Sequence, residues 1–375
     1  MDIFHKLGIS PYINAHDTYT IYGGSRMSEQ TLCTMKEISC SFVDMAELQE
    51  KAGTFLAGLC GSEAAYVTNG AAGALQLCAA VCMVDGDEYR YRRLPDTEGM
   101  RNEILIFHCQ HNCYDKAIEG TGAKIVLVGD ADETPVFALE GNLGEHTAAV
   151  FYFPSALYQR GSLSLEETIK IAHERGVPVV VDAAAQLPPV ENLHYFTDVG
   201  ADMVIFSGGK TLQGPQDSGL VLGKEKYIAD CRKFGAPFHG ICRASKTSRE
   251  AIAGLCAAVE SFVHRDPEAY REELSARADR MADGLRELER GGRPDRSRVY
   301  RVEQGPVGQT YPRVFIKMSS EAEMKRVVKE MRSRRIYIGE ERMQRAVYIS
   351  PLNLTDEEAD KVVMELMDVL RQAGQ

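Results

Sequence analysis

The sequence predicts an α/β fold in which helices cover both faces of a seven-stranded, mostly parallel sheet, followed by a small C-terminal α+β domain. Seven short apolar runs, several of them rich in valine and isoleucine, recur before Lys224, as is typical of strands buried on both faces of a parallel sheet. Helical patterns separate most of these runs, which indicates a doubly wound arrangement. After Lys224, long charged helices alternate with a few short strands, and this change predicts the second, smaller domain.

The individual elements follow from apolar runs and from the residues that end or cap them. The strands predicted for the large sheet are 64–67, 104–107, 124–128, 148–153, 177–182, 203–207 and 219–223. Those predicted for the small domain are 312–317, 336–338 and 347–350. Helix starts are predicted where a serine, threonine or aspartate precedes a glutamate by three residues, because the two side chains can cap the first turn. These pairs are Asp44 with Glu47, Ser164 with Glu167, and Thr355 with Glu358.

The 375-residue chain is long enough for two domains and a sizeable core. Residues 1–40 are predicted to form an N-terminal arm and a first helix, because the arm is too short to bury its own apolar side chains. Residues 41–240 are predicted to form the large domain, and residues 241–375 the small one. No internal repeat or low-complexity segment interrupts this division.

Composition narrows the class of protein. The formal net charge is −11 without a block of like charges, which disfavours nucleic acid as a partner, since that affinity comes largely from lysine and arginine on phosphates. No apolar run approaches the roughly 20 residues of a membrane span, and the N-terminus lacks the basic and apolar regions of a signal peptide. The ten cysteines are scattered without a disulfide framework, as expected of free thiols in a reducing cytoplasm. We therefore expect a soluble cytoplasmic enzyme.

Two predicted strands end in side chains that suit one cofactor. The apolar run 179–181 ends at Asp182, and the run 203–206 ends at Ser207, three residues before Lys210. Ligands of open α/β sheets collect beyond the carboxyl ends of the strands, so the acid and the lysine are candidates for one site. A lysine amine can form a Schiff base with the aldehyde of pyridoxal phosphate (PLP), and a carboxylate can keep the pyridine nitrogen protonated. The competing interpretation is a surface lysine in a turn and an aspartate that caps a helix.

Short motifs spread over most of the chain carry a family resemblance. They are Thr68-Asn69-Gly70-Ala71-Ala72, Phe206-Ser207-Gly208-Gly209-Lys210, Gly214-Pro215-Gln216, Gly219-Leu220-Val221-Leu222-Gly223, Gly23-Gly24-Ser25-Arg26 and Ile349-Ser350-Pro351-Leu352-Asn353-Leu354. These motifs resemble fold type I PLP-dependent enzymes, and within them the group similar to selenocysteine synthase and D-glucosaminate-6-phosphate ammonia-lyase. The resemblance implies the PLP-dependent transferase fold (fold type I), PLP as the cofactor, and residues 41–240 as the PLP-binding domain.

The resemblance also implies catalytic and phosphate-binding roles. Lys210 would form the Schiff base and, once the substrate has displaced it, move the Cα proton, while Asp182 would pair with the pyridine nitrogen. Ser207, Gly70 and Ala71 would hold the cofactor phosphate, the last two at a helix start whose free N–H groups favour anions. Close packing of helix and sheet, which also needs small residues, is the alternative explanation for that helix start.

Four further residues are assigned to the cofactor. Ala184 would pack on one face of the ring, although plain packing at a strand end is an alternative, and Gln186 would reach the ring hydroxyl. Arg243 and Lys246 lie in the loop 235–248, which by resemblance reaches across a homodimer toward phosphate groups. Solvated surface residues are the alternative interpretation for these two basic side chains.

A cluster of histidine and cysteine, residues 108–113, follows the strand 104–107. One interpretation is a metal site with soft ligands. Four ligands would have to converge tetrahedrally from a strand end and a turn, which is not expected, so we assign no metal. By resemblance, this strand end supplies a ring that stacks on the cofactor. We assign that ring to His111, with His108 as the alternative, and the related enzymes have a histidine where Gln110 stands.

The chain departs from the family pattern at two places. His16 and Asp17 add charge to the N-terminal arm where the related enzymes have none. Many fold type I enzymes hold the substrate carboxylate with an arginine two residues before Ser350, where this chain has Tyr348 and carries Arg345 further back. The charged arm predicts a different path of the arm or a different site, and the missing arginine favours a sugar-like or phosphorylated substrate.

The function predicted from these observations is that of a PLP-dependent lyase, homodimeric or larger, that removes ammonia from a small amino compound by α,β-elimination through a Lys210 Schiff base. The alternative enzyme is a transferase similar to selenocysteine synthase, which is disfavoured by the acidic chain and by the expected lack of an extra N-terminal domain for tRNA. A third hypothesis is a non-catalytic PLP-binding or scaffold protein. This hypothesis is based on the positions where the chain departs from the related enzymes, which are His16, Asp17, Gln110 and Tyr348.

Overall fold

The computed structural model describes residues 2–156, 159–290, 298–305 and 308–373. The chain divides into two compact units. The seven-strand unit comprises Ser25–Arg265 and Pro306–Gln309, and the five-strand unit comprises Met1–Gly24, Asp266–Gly305 and Thr310–Gln375. Each unit has its own sheet and its own apolar core.

Helices and strands alternate along most of the chain. The strands are β1 (Ile13–Ala15), β2 (Ala64–Thr68), β3 (Glu103–Phe107), β4 (Lys124–Val128), β5 (Thr147–Tyr152), β6 (Val179–Asp182), β7 (Met203–Ser207), β8 (Gly219–Gly223), β9 (Arg298–Val302), β10 (Arg313–Lys317), β11 (Ile336–Glu341) and β12 (Ala346–Ile349). The α-helices are α1 (Ile3–Leu7), α2 (Glu29–Ser39), α3 (Met45–Cys60), α4 (Gly70–Val84), α5 (Glu88–Arg93), α6 (Asp115–Glu119), α7 (Val136–Asn142), α8 (Leu165–Glu174), α9 (Asn192–Asp198), α10 (Glu225–Phe234), α11 (Arg249–Val263), α12 (Pro267–Arg290), α13 (Glu321–Ser333) and α14 (Asp356–Ala373). Within the described ranges, no helix is both long enough and apolar enough to cross a bilayer.

The seven-strand unit is built on one sheet with the strand order β2-β8-β7-β6-β5-β3-β4. The strands from β7 to β4 in this order are parallel to one another, whereas β8 is antiparallel to both β2 and β7. The prediction of a seven-stranded, mostly parallel sheet is confirmed, and each predicted strand begins and ends within two residues of an observed one. Because β7, β6, β5 and β3 run the same way, their carboxyl ends lie along one edge of the sheet.

Helix α4 lies in the core of this unit and begins at the same edge. From Gly73 to Val84 its residues are buried, with Gln76 partly accessible. A helix that is apolar on nearly all sides is expected to be buried, and α4 packs on β8, β7 and β5. Its first residue, Gly70, follows the end of β2 after a single residue, so the chain turns directly from the sheet edge into the helix.

The five-strand unit contains a sheet with the strand order β1-β11-β12-β10-β9. β1 is parallel to β11 and the other pairs are antiparallel, and α12, α13 and α14 supply the helical part of the core. The predicted α+β character of this part of the chain is confirmed. Strand β9 was not predicted, because arginine residues interrupt its apolar pattern.

The predicted domain boundaries at residues 40 and 240 stay a prediction. The compact units change over between Gly24 and Ser25 and again between Arg265 and Asp266. Helix α11, which the prediction assigned to the small domain, packs on α2 and α3 inside the seven-strand unit. Its buried face explains this placement, since Ile252, Leu255 and Val259 need an apolar partner there.

Candidate active site

Asp182 and Lys210 lie at the carboxyl ends of neighbouring strands. Asp182 is the last residue of β6, and Lys210 is in the turn that follows β7, the strand paired with β6 in parallel. Burial raises the pKa of Asp182, while a hydrogen bond from the Ala184 N–H (2.9 Å to Oδ1) and the nearby Lys210 ammonium act in the opposite direction. The structure therefore brings together the acid and the lysine that the sequence assigned to one site.

Close contacts explain why the turn before Lys210 contains two glycines. A Cβ atom on Gly208 would lie 2.0 Å from Oγ of Ser218, and one on Gly209 would lie 2.6 Å from Cα of Gln216. The backbone carbonyl of Gly209 also accepts hydrogen bonds from both the N–H and the hydroxyl of Ser25, each at 3.1 Å. Three separate motifs of the sequence thus meet in one turn and fix the backbone that carries the lysine.

The residues assigned to the phosphate flank one glycine of β8. Gly219 pairs with Ser207 of β7 on one side and with Thr68 of β2 on the other. A Cβ atom on Gly219 would lie 2.5 Å from the carbonyl of Gly70, so only glycine lets the start of α4 approach the sheet this closely. Ser207 and the first residues of α4, Gly70 and Ala71, are therefore near neighbours around Gly219.

The start of α4 has the properties of an anion site. Its N-cap residue, Asn69, makes no side-chain capping hydrogen bond to the helix, and a Cβ atom on Gly70 would meet nothing within 4 Å. Free N–H groups at the start of a 15-residue helix, open space and small side chains suit a phosphate. Together with the half-buried carboxylate of Asp182 and a lysine amine, this donor set fits PLP.

The loop that carries Arg243 and Lys246 lies beside the start of α4 in the same chain. The Asn69 side-chain amide donates to the backbone carbonyl of Lys246 at 3.1 Å, and the Ser245 hydroxyl donates to Oε1 of Gln76 at 2.8 Å. Arg243 is half-buried and Lys246 is exposed. The contact of these two cations with a phosphate across a dimer stays a prediction.

The residues that follow Asp182 connect β6 to the end of β5. Ala184 is partly buried, and its N–H is the donor to Asp182 already described. The Gln186 side-chain nitrogen donates to the backbone carbonyl of Pro154 at 2.7 Å. This bond fixes Gln186 at the same sheet edge, and the predicted contacts of Ala184 and Gln186 with a cofactor ring stay predictions.

The segment after β3 buries one of the three candidates for the cofactor ring contact and leaves the other two exposed. Gln110 is 1% exposed, and its Oε1 accepts a hydrogen bond from the Phe153 N–H at 2.8 Å, so it joins the ends of β3 and β5. His108 and His111 are exposed, and Nδ1 of His111 contacts Asp115. No group of three or more potential metal ligands forms among the described residues.

Tyr114, to which sequence reasoning assigned no role, follows the histidine and cysteine cluster after β3 and is 54% exposed. Burial and the neighbouring charges of Cys113 and Asp182 raise the pKa of Tyr114. The phenol therefore lies near the carboxylate at the end of β6. The signal that could have found it is its position, an aromatic residue just after a cluster of polar residues that ends a buried strand.

The departures at Tyr348 and in the N-terminal arm have a structural explanation within the five-strand unit. The Tyr348 hydroxyl lies 3.3 Å from Nδ1 of His16. Burial lowers the pKa of His16 to about 4, although the negative charges of Asp17 and Glu340 act in the opposite direction. Asp17 accepts hydrogen bonds from the buried Arg313. The charged arm residues are thus parts of a buried polar network.

Comparison with known proteins identifies the relatives of the chain. A family model for L-seryl-tRNA selenium transferase (SelA) matches residues 113–278. A D-glucosaminate-6-phosphate ammonia lyase from Salmonella typhimurium is 33% identical over 266 residues, which are 70% of each chain. A 5'-C-glycyluridine monooxygenase-decarboxylase from Streptomyces sp. is also 33% identical, over 75% of this chain and 70% of the relative. An L-seryl-tRNA(Sec) selenium transferase from Aquifex aeolicus is 28% identical over 54% of this chain and 44% of its own length.

Solved structures agree with this result. The structure of D-glucosaminate-6-phosphate ammonia-lyase superimposes with a TM-score of 0.84 and 27% identity, with both chains covered completely. Serine palmitoyltransferase from Sphingomonas wittichii, at 15% identity and a TM-score of 0.59 over 97% of this chain and 88% of that one, shares the fold. With 33% identity to the ammonia lyase over 70% of both chains, this protein belongs to the SelA-like family of fold type I PLP-dependent enzymes.

Proposed function

We propose that the protein is a PLP-dependent lyase that releases ammonia by α,β-elimination from a small, sugar-like amino compound that carries a phosphate. The observation that carries this proposal is the 33% identity with an ammonia lyase over 70% of the chain. It is supported by the geometry at the sheet edge, where the Lys210 ammonium lies close enough to Asp182 to affect the pKa of that carboxyl. The substrate proposed for testing is D-glucosaminate 6-phosphate, the compound named in that relative.

The lysine, the aspartate and the residues assigned to the phosphate each have a proposed part in this reaction. When bound, PLP supplies an electron sink for the pair released from the Cα–H bond. Lys210 would take and return the proton at its Nζ atom, and the half-buried Asp182 carboxylate would hold the ring nitrogen of the cofactor. Ser207, Gly70 and Ala71 would hold the phosphate through their N–H groups and the serine hydroxyl.

One experiment tests cofactor and activity together. The purified protein is expected to be yellow, and borohydride reduction is expected to fix a phosphopyridoxyl mass on the peptide that contains Lys210. The same preparation should release ammonia and a 2-keto acid from D-glucosaminate 6-phosphate, and Lys210→Ala should lose both the mass and the activity. A wild-type protein that carries the mass on Lys210 but releases no ammonia would keep the cofactor assignment and reject the substrate.

We further propose a homo-oligomer, a dimer or a dimer-based assembly, that works in the cytoplasm. Large apolar side chains remain exposed on the single chain, among them Phe42 at 96% and Ile21 at 83%. The ten cysteines are free thiols, which suits a reducing compartment. Sedimentation equilibrium tests the assembly, since a monomer at micromolar concentration would contradict the first part of this proposal.

A transferase that acts on a tRNA-borne amino acid is the second candidate. It is favoured by the SelA family model over residues 113–278. The net charge of −11 argues against it, because binding to tRNA needs cationic contacts with phosphates. A gel-shift experiment with seryl-tRNA distinguishes the two candidates, and tight, salt-sensitive binding would favour the transferase.

A further inference from the structure

A histidine–aspartate pair lies in the segment after β3. The Nδ1 atom of His111 is 2.5 Å from Oδ2 of Asp115, and the Asn112 N–H donates to the same oxygen at 3.4 Å. Asp115 is 1% exposed, whereas 55% of the His111 side chain is exposed. The second carboxylate oxygen of Asp115 is buried and has no hydrogen-bond partner among the described residues. A buried acid thus holds an exposed imidazole by one ring nitrogen.

The same segment is fixed to the sheet edge that carries Asp182. The hydrogen bond between Gln110 and Phe153 fastens it to the end of β5, which is the strand next to β6. Tyr114 lies near enough to Asp182 for that carboxylate to raise the pKa of the phenol. Neighbouring strands are about 4.8 Å apart, so the ends of β3 and β6, two strands apart, are separated by about 10 Å. The segment that carries His111 therefore lies along the edge of the sheet that holds the candidate active site.

We propose that Asp115 is a positioning residue, and that it holds His111 so that the Nε2 atom faces the substrate and protonates the departing hydroxyl group. This inference rests on the proposed elimination reaction. An ionised carboxylate only accepts hydrogen bonds, so Nδ1 of His111 carries the hydrogen and Nε2 is the nitrogen left for proton transfer. Asp115 is buried and contacts the His111 ring. It therefore acts through the orientation of that ring.

The proton transfers of the reaction balance with these residues. The Cα–H bond breaks, its electron pair forms the Cα–Cβ double bond, and the proton goes to Lys210. The Cβ–O bond breaks with its pair on oxygen, which takes the Nε2 proton of the imidazolium form of His111 and leaves as water, and the ring returns to its neutral form with hydrogen on Nδ1. Water later hydrolyses the unsaturated amine to the keto product and ammonia, so no oxidant or reductant is needed. Hydroxide is a poor leaving group, and a positioned acid typically contributes about 10²–10⁴-fold to such a step.

Leaving-group dependence tests this role. Two substrates are compared, D-glucosaminate 6-phosphate and its analogue with chlorine in place of the C3 hydroxyl, because chloride departs without a proton. We expect His111→Asn to lower kcat about 100-fold or more on the hydroxyl substrate and Asp115→Asn to lower it about 10-fold, with both within about threefold of wild type on the chloro analogue. Lys116→Ala, on the same helix and 80% exposed, is the matched control and should behave as wild type on both. Equal losses on the two substrates would overturn the proposal.

The orientation of the ring is tested without any turnover. Nitrogen-15 NMR of the full chain, labelled at histidine, reports which nitrogen of each ring carries hydrogen, and His111→Asn assigns the signal. We expect hydrogen on Nδ1 of His111 in the wild type and a shift toward Nε2 in Asp115→Asn. An unchanged signal in Asp115→Asn would overturn the positioning role. If the wild type releases ammonia from neither substrate, the proposed function fails and the proton-donor role with it, while the NMR result still decides the role of Asp115.

Discussion

Asp17 in the five-strand unit and Asp182 in the seven-strand unit each lie near a basic side chain, but Asp17 is buried, Asp182 is half-buried, and their hydrogen bonds differ. Asp17 is 6% exposed and accepts hydrogen bonds from Arg313 (Nη2 at 2.6 Å and Nε at 3.1 Å) and from the Tyr311 hydroxyl at 2.7 Å. Asp182 accepts one from the Ala184 N–H at 2.9 Å. Despite the nearby Lys210 ammonium, burial raises the pKa of Asp182 above its ordinary range.

This difference separates an ion pair that maintains the fold from a carboxylate available for chemistry. Asp17 and Arg313 compensate each other's charge, and neither can be lost alone without leaving a buried charge. Asp182 is desolvated without full compensation, and such groups collect at functional sites because a bound ligand can supply the missing partner. The ring nitrogen of PLP is a donor of the required kind.

The largest expected effect is on the free energy of unfolding when the Asp17–Arg313 pair is broken. Asp17→Asn or Arg313→Met alone is expected to destabilise the protein by about 3–5 kcal/mol, because each leaves the other member of the pair buried and uncompensated. Urea denaturation measures the loss. The double variant Asp17→Asn with Arg313→Met should cost less than the two single losses combined, because it removes both charges. If the losses of unfolding free energy in the two single variants add up to that of the double variant, Asp17 and Arg313 do not compensate each other's charge.

Replacing Asp182 should affect activity and leave stability nearly unchanged. Asp182→Asn is expected to lower ammonia release about 100-fold or more, since an amide cannot compensate a protonated ring nitrogen, while unfolding changes by less than about 1 kcal/mol. The reason for the small stability effect is that a carboxylate short of partners is replaced by a neutral group of the same shape. Asp198→Asn, on the surface beside His194, is the control that should change neither quantity. A large loss of stability in Asp182→Asn would instead show that Asp182, like Asp17, maintains the fold.

Acid titration provides a third test, through His16 in the network of Asp17. Burial lowers the pKa of His16 from its ordinary 6.5 to about 4. The unfolded chain therefore takes up a proton at this residue below about pH 6.5, while the folded chain does so only near pH 4, so the stability that the neutral ring contributes is lost as the pH falls through this window. Allowing for the partial exposure of the ring, the loss is about 1–2 kcal/mol. His16→Gln should remove it, which unfolding curves of both proteins between pH 7 and 4 would measure.

Much of the fold was predictable because its signals are local. The runs of valine and isoleucine in β6 and β7 identify buried strands without knowledge of their partners, and Asp182 and Lys210 follow directly from where these runs end. The glycines of the turn were recognised as a motif, and the structure adds their physical reason, the contact of Gly209 with Gln216.

The remainder depends on contacts between residues distant in the chain. Asp17 and Arg313 are 296 residues apart, so nothing in the sequence indicates that the charged arm neutralises a buried arginine. The His111–Asp115 spacing of four residues fits one helical turn, but α6 begins only at Asp115 and is five residues long, too short to predict from its pattern. Tyr114 was missed for the same reason, since its neighbour Asp182 belongs to another strand.

The smallest expected effect comes from removing the Tyr348 hydroxyl. The ring of Tyr348 stacks on Phe315 with centroids 5.2 Å apart and lies over Gly339, where a Cβ atom would come within 2.0 Å of it. Tyr348→Phe keeps this packing and loses only the 3.3 Å contact with His16, so unfolding should change by about 0.5–1 kcal/mol at most. Burial, the main cause of the low pKa of His16, is unchanged in this variant, and its acid-induced loss of stability should match that of the wild type. If the loss disappeared in Tyr348→Phe, the hydroxyl and not burial would control His16, and the network around Asp17 would depend on a single hydrogen bond.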